Sequence, residues 1–172
     1  MKFLEKALFK ITNYLPCKVI NDAGVPYLER YHLLSLGENF LRGYIHRFVA
    51  SDPDRGVHDH PWKYAVSFVL TGGYYEERLI DGEIVTRRVK PFTLNFIKGS
   101  DFHRVVMPEG ETCWSIFFHT SWVKGWGFMR PKNEGGLEYV AHKTDKELKR
   151  HPWHKTALPG RYAEDRQPPK AA

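Results

Sequence analysis

Residues 56–62 read GVHDHPW and decide the fold, because they place two histidines one residue apart. Alternate side chains of an extended segment point to the same face, so His58 and His60 can approach one ion from one side while Asp59 points away. Pro61 disfavours helical geometry for the histidine before it and so favours the extended form. The segment is therefore predicted to be an extended pair of metal ligands.

A third histidine, His103, follows the turn Lys98–Asp101 at the start of a predicted strand. If that strand neighbours the first pair, three imidazoles meet at one point. Neutral imidazole is a good ligand for iron, zinc, copper, nickel and cobalt. Three protein ligands leave coordination positions open for water or substrate, as a catalytic metal requires.

Short runs rich in aromatic and β-branched residues fill the middle of the chain and predict strands. Turn residues separate the runs, and Asp81–Gly82 is a strong signal for a two-residue hairpin turn. Eight such strands in close succession predict an all-β sandwich or barrel. The predicted strands are Tyr27–Leu36, Phe40–Val49, Tyr64–Leu70, Tyr74–Ile80, Glu83–Lys90, Phe92–Ile97, His103–Met107 and Thr112–Thr120.

The two ends of the chain have a different character. Residues 3–15 carry apolar side chains at helical spacing, which predicts a short amphipathic helix ended by Pro16. One more strand is predicted at residues 137–141 and a short polar helix at residues 143–150. The tail, residues 158–172, is predicted to be extended and partly disordered. The predicted organisation is an N-terminal helix and linker at residues 1–22, a barrel at 23–142 and a polar extension at 143–172.

Composition excludes several classes of protein. The chain has 172 residues, which fits one domain. Only Cys17 and Cys113 occur, so a disulfide framework is not indicated and a reducing, cytoplasmic location is expected. Charges interrupt the N-terminal apolar run and no stretch is long enough for a membrane span, so no membrane association is expected. The net charge is +6, but no nucleic-acid-binding motif accompanies it, which favours a solvated basic surface.

Residues 56–72 resemble the first sequence motif of the cupin superfamily, in which a glycine, an HxH pair, a strand and a closing glycine appear in that order. Residues 99–103 resemble the second motif, in which a glycine turn delivers a third histidine. The resemblance covers roughly residues 40–120 and implies a double-stranded β-helix, or jelly-roll, barrel that holds one divalent metal. The metal ligands that the resemblance implies are His58, His60 and His103.

The sequence also departs from the cupin pattern. Cupins often carry a glutamate ligand five residues after the second histidine, where this chain has Ala65, and Met107 replaces the usual asparagine of the second motif. Thiol dioxygenases resemble this chain in using three histidines and no carboxylate. Three neutral ligands leave the charge of the metal uncompensated, so an anionic ligand is favoured. Glu76 or Glu77, on a following strand, is the alternative source of a carboxylate.

The resemblance implies a metal-binding cupin, and the all-histidine site favours a non-haem, iron-dependent oxygenase that acts on a small polar molecule. Fe(II) is the expected metal, with zinc, nickel and manganese as alternatives. Two other functions stay open at this point. One is a non-catalytic module that binds a metal or ligand and serves as a sensor or partner-binding domain, and the other is a sugar isomerase or epimerase.

Three residues near the motifs are candidates for a catalytic role. His46 lies on a predicted strand and can line a pocket as an acid–base residue, although a hydrogen-bonded core histidine is the simpler interpretation. Arg55 precedes the histidine pair and can reach the barrel mouth. Tyr64 can donate a hydrogen bond in the pocket or serve in packing. A homodimer is expected, because the apolar N-terminal helix needs a surface against which to bury.

Overall fold

The chain alternates between short strands and tight turns after one N-terminal helix. The structure is a computed structural model and describes residues 2–37, 40–142 and 152–169. The elements in these residues are α1 (Lys2–Thr12), β1 (Cys17–Asp22), β2 (Val25–Leu36), β3 (Leu41–Phe48), β4 (Val57–His58), β5 (Tyr64–Thr71), β6 (Tyr74–Ile80), β7 (Glu83–Val89), β8 (Leu94–Lys98), β9 (His103–Val106), β10 (Cys113–Thr120), β11 (Gly127–Pro131) and β12 (Leu137–Ala141). Short 3-10 turns follow at Trp153–Lys155 and Gly160–Tyr162.

The strands form two six-stranded antiparallel sheets, in the orders β1-β2-β3-β10-β5-β8 and β12-β11-β4-β9-β6-β7. Val69 and Cys113 of the first sheet pack in one buried cluster with Tyr74 and Val105 of the second, so the core lies between the sheets. All eight predicted central strands occur, with bounds within two residues of the prediction. The prediction of an all-β fold is therefore confirmed.

Alternation along β5 decides which side chains face the interior. Ala65, Ser67, Val69 and Thr71 are all buried, as expected for every second residue of a strand with one face on the core. Tyr64 belongs to the opposite set and is 51% exposed. The position at which many cupins carry a glutamate ligand thus faces inward, and Tyr64 does not.

Helix α1 packs on the barrel of its own chain. Leu8 is buried against Tyr31 and Trp114, on the face of the first sheet that points away from the second. This burial removes the physical reason for which a dimer was expected, because the helix already has its surface. None of the helices in the described part of the chain has the length and apolar character needed to cross a membrane.

The C-terminal segment is bound to the helix and the first sheet over residues 158–169, so this part of the tail, predicted to be extended and partly disordered, is held in place. Arg166 donates hydrogen bonds to the Tyr31 hydroxyl and to the Phe9 carbonyl oxygen, both at 2.8 Å. The Gln167 backbone N–H donates to the buried carboxylate of Glu29 at 2.7 Å. A disordered tail was predicted from composition, which carries no information about these long-range partners.

Three strands were not predicted. Residues 17–22, assigned to a linker, form β1, which pairs with β2. Strand β4 has only two residues, and β11 pairs with both β4 and β12. The polar helix predicted for residues 143–150 lies outside the described residues.

Candidate metal centre

The three predicted ligands come together inside the second sheet. His58 on β4 pairs directly with His103 on β9, and His60 follows two residues after His58. The possible ligand atoms of the three side chains all lie within 4.8 Å of one another, and no other cluster of this kind occurs among residues 2–37, 40–142 and 152–169. The Nε2 atoms of His60 and His103 are 2.7 Å apart.

This arrangement fits a metal ion. Two nitrogens bound at about 2.1 Å and at a right angle to each other would be about 3.0 Å apart, close to the spacing of His60 and His103. Burial, with smaller contributions from neighbouring cations and histidines, lowers the pKa of His58 to about 3 and holds that of His60 well below its usual range. Both rings are therefore neutral at pH 7, which is the protonation state that binds metal.

Backbone contacts hold the first two ligands in place. His58 pairs with Phe128 of β11, and the His60 N–H donates to the Gly99 carbonyl oxygen at 3.0 Å. Asp59 points away from the centre, as predicted, and its carboxylate accepts from the Gly127 N–H at 2.7 Å. A Cβ on Gly99 would overlap a backbone carbonyl oxygen of the adjacent loop, so this close approach requires glycine.

Glu76 on β6 orients His103. Its side chain is fully buried, and its Oε1 accepts a hydrogen bond from Nδ1 of His103 at 2.8 Å, which leaves Nε2 facing His60. A carboxylate on the outer nitrogen of a ligand histidine fixes the tautomer and raises the basicity of the ligand. Glu76 therefore orients a ligand histidine through a hydrogen bond and is not the carboxylate ligand suggested as an alternative.

Glu76 is ionised despite its burial. Burial alone would raise the pKa of the carboxyl group, but hydrogen bonds from His103 and Arg78 outweigh it and hold that pKa below its usual range. Arg87 and Asn95 complete the surroundings, with Nε of Arg87 at 2.7 Å and Nδ2 of Asn95 at 2.9 Å. Each lone pair of the buried carboxylate has a donor, which is the condition for burying a charge at low cost.

A cavity of about 290 Å³ opens next to the three histidines. Its walls are mainly aromatic and aliphatic, as is usual for small-molecule sites. Trp62 stacks on His60 with ring centroids 4.0 Å apart, and Trp126 lies 6.0 Å from His58. Ala65 faces inward but packs against Trp62, so the small residue at this position accommodates an aromatic ring.

Two of the three predicted catalytic residues line this cavity. His46 is 4% exposed, and burial holds its pKa well below the usual range. Arg55 lies near the mouth, with its Cζ 5.0 Å from the Phe128 ring and a nitrogen 3.7 Å from Asp22. Tyr64 is on the outer face and is not part of the cavity wall, so its assignment to the pocket is wrong.

Two charged residues of the cavity wall were missed from the sequence. Arg30 on β2 lies opposite His46 in the β2–β3 pairing, and its Nε donates to Nε2 of His46 at 3.1 Å. Asp52 accepts from the Val105 N–H at 2.8 Å, and burial raises the pKa of its carboxyl group. The alternation of side chains along β2 was a weak indication that Arg30 faces the cavity. No pattern in the sequence around Asp52 indicated that it does.

No family model matches the chain, and no curated protein sequence matches it either. Solved structures do match its fold. A cupin-2 domain from Rhodospirillum rubrum has a TM-score of 0.54 at 14% identity, covering 70% of this chain and 78% of that one. The polyketide cyclase RemF from Streptomyces resistomycificus has a TM-score of 0.52 at 19% identity, covering 84% and 93%. The structure of Fe(II)-HppE with an alternative substrate has a TM-score of 0.51 at 14% identity. The match covers 62% of this chain and 55% of the HppE chain.

These identities are too low to carry an activity from one protein to another, but the shared architecture is clear. Two antiparallel sheets enclose the ligand histidines, and the glycines of both sequence motifs stand where the backbone requires them. The chain therefore has the fold of these proteins, a double-stranded β-helix barrel, with His58, His60 and His103 converging in its interior.

Proposed function

We propose that the protein is a metal-dependent enzyme, an oxygenase that holds Fe(II) on His58, His60 and His103 and acts on a small molecule in the adjacent cavity. The observation that carries this proposal is the convergence of three imidazole nitrogens within 4.8 Å beside an open cavity. A purely structural cluster of histidines needs no such space for a ligand. A catalytic metal does, because its open positions must be reached by substrate.

The ligand set supports a catalytic divalent metal. Nitrogen ligands suit iron, nickel, copper and zinc, and the absence of a thiolate argues against a structural zinc site. When bound, iron would supply a centre able to activate oxygen and to polarise a substrate group. Zinc, nickel and manganese remain the alternatives, and metal content decides between them.

The residues of this chain have separate tasks in that chemistry. Glu76 fixes the orientation and tautomer of His103, and Trp62 holds the ring of His60 by stacking. The aromatic walls lower the polarity around the histidines, which strengthens polar interactions within the cavity. His46 accepts a hydrogen bond from Arg30, so its role is to position that arginine rather than to remove a proton from substrate.

The apolar walls argue against a sugar isomerase or epimerase. A sugar presents many hydroxyl groups, and burying them without partners is costly. A cavity of about 290 Å³ lined mainly by aromatic and aliphatic side chains suits a single ring or short chain with few polar groups. We therefore propose a small substrate whose body is mainly apolar, in place of the small polar molecule expected from the sequence.

The test is metal analysis followed by oxygen uptake. The purified protein, reconstituted with Fe(II) without oxygen, should bind one equivalent and consume oxygen with at least one member of a panel of small thiols and carboxylic acids. His103→Ala should lose both properties, whereas His154→Ala, a histidine outside the site, should keep both. A protein that binds iron but never consumes oxygen would favour the non-catalytic module instead.

We further propose a cytoplasmic location and, as partners, a small-molecule substrate and a second copy of the chain. Both cysteines are buried free thiols, which suits a reducing compartment such as the cytoplasm. A homodimer would have to use a surface other than the buried face of α1, and sedimentation measurements would detect it. We expect no specific nucleic-acid or membrane partner.

A further inference from the structure

Arg30 has no counter-ion in the part of the chain that the structure describes. It lines the cavity on β2, its Nε donates to His46 at 3.1 Å, and its Cζ lies 5.4 Å from the centroid of the Tyr44 ring. Among the described residues, no carboxylate lies within ion-pair distance of Arg30, and none makes a hydrogen bond with its terminal nitrogens. Burial lowers the pKa of Arg30, but the guanidinium stays protonated at pH 7.

The other charges of the cavity do not compensate Arg30. Arg55 adds a second cation and is near Asp22 at the mouth. Asp52 is the acidic residue of the wall, and its carboxylate interacts with His103, Arg104 and Arg55 rather than with Arg30. Lys18 stands opposite Arg30 in the β1–β2 pairing and places one more positive charge beside it. A metal dication on the three histidines would increase the positive potential further.

The donors left on Arg30 suit an anion. Because His46 occupies Nε, the two terminal nitrogens form the end of the guanidinium fork that matches the two oxygens of a carboxylate. His46 is neutral and buried between strands, with its ring stacked 4.7 Å from that of Phe117, so it holds the arginine rigidly. A preorganised cation in an apolar cavity binds an anion more strongly than the same group at a surface.

We infer that Arg30 is an anion-binding subsite and that the cavity takes a small organic acid with an apolar body and a carboxylate head. The inference deepens the proposed function, because it names the substrate class of that enzyme. The carboxylate pairs with the terminal nitrogens of Arg30, and the apolar body lies along the aromatic walls towards the three histidines. His46 serves as a positioning residue for Arg30.

Binding measurements on metal-free protein separate this subsite from the metal, which could itself attract an anion. Phenylacetate, benzoate and hexanoate are titrated into protein stripped with EDTA, each beside its uncharged amide. At least one acid should bind roughly tenfold or more tightly than its amide. Arg30→Met should abolish that preference, and Arg30→Lys should keep only part of it, because lysine lacks the fork. Arg88→Met is the matched control, since Arg88 also lies over a tyrosine ring but outside the cavity, and it should leave binding unchanged.

Two outcomes would overturn the inference. One is that no acid of the panel binds the wild-type protein more tightly than its amide. The other is that Arg30→Met and Arg30→Lys both bind the acids as tightly as the wild type. Iron binding, measured separately on each protein after reconstitution with Fe(II), distinguishes this failure from failure of the proposed function. Loss of the acid preference with one equivalent of iron retained refutes the subsite alone, whereas acid binding without any metal retention refutes the enzyme proposal alone.

Discussion

Replacing Glu76 by glutamine tests whether the carboxylate behind His103 tunes the metal site. The change keeps the shape of the side chain and one carbonyl oxygen at the position that accepts from Nδ1 of His103. It removes the negative charge. A hydrogen bond to a charged group contributes roughly 1.5–3 kcal/mol and a neutral one roughly 0.5–1.5 kcal/mol, so the expected loss is about 1–2 kcal/mol. That corresponds to metal affinity weakened about tenfold, within the range for partners of ligand histidines.

The assay is competition for Co(II) or Zn(II) against a chromophoric chelator, with far-UV circular dichroism to confirm that each variant is folded. Glu77→Gln is the matched control, because Glu77 lies next along β6 and pairs with Arg104 at 2.9 Å, away from the ligands. It should change metal affinity by no more than about twofold. If folded Glu76→Gln protein bound metal within about twofold of the wild type, the orienting role of this carboxylate would be refuted.

Three further predictions concern stability and reactivity. Gly99→Ala should destabilise the protein by roughly 1–3 kcal/mol in urea titrations, because its Cβ would overlap a carbonyl oxygen, whereas Gly125→Ala, with nothing within 4 Å of the added Cβ, should be close to neutral. Cys17 and Cys113 should resist alkylation at pH 8 until the protein unfolds, because burial raises the pKa of both thiols to about 12, and rapid labelling of native protein would contradict this. Arg166→Met should cost roughly 1–3 kcal/mol and make the C-terminal segment sensitive to proteolysis, and unchanged cleavage kinetics would show that the arginine does not hold the segment.

The sequence predicted what is encoded locally. The spacing of His58 and His60 required only the two-residue period of an extended chain, and Asp81–Gly82 marked a hairpin that joins β6 to β7. Strands were found within two residues because turn residues separate the apolar runs. The same reasoning failed for β4, whose two residues are too few to show a pattern.

Features that depend on which strands pair could not be predicted from the sequence. Glu76 meets His103 only because β6 lies beside β9, and Arg30 meets His46 only because β2 pairs with β3 in one register. A shift of one residue would turn each side chain to the other face. Tyr64 illustrates the same limit, since it was placed in the pocket without knowledge of which residues of β5 face the core.

His58, His60 and His103 are expected to bind one metal ion together. The most direct measurement is a crystal structure of the metal-loaded protein with anomalous scattering recorded at the absorption edge of the metal. We expect a single ion with one nitrogen of each of the three imidazoles at about 2.0–2.2 Å. An ion bound elsewhere, or one held by fewer than three of these histidines, would contradict it.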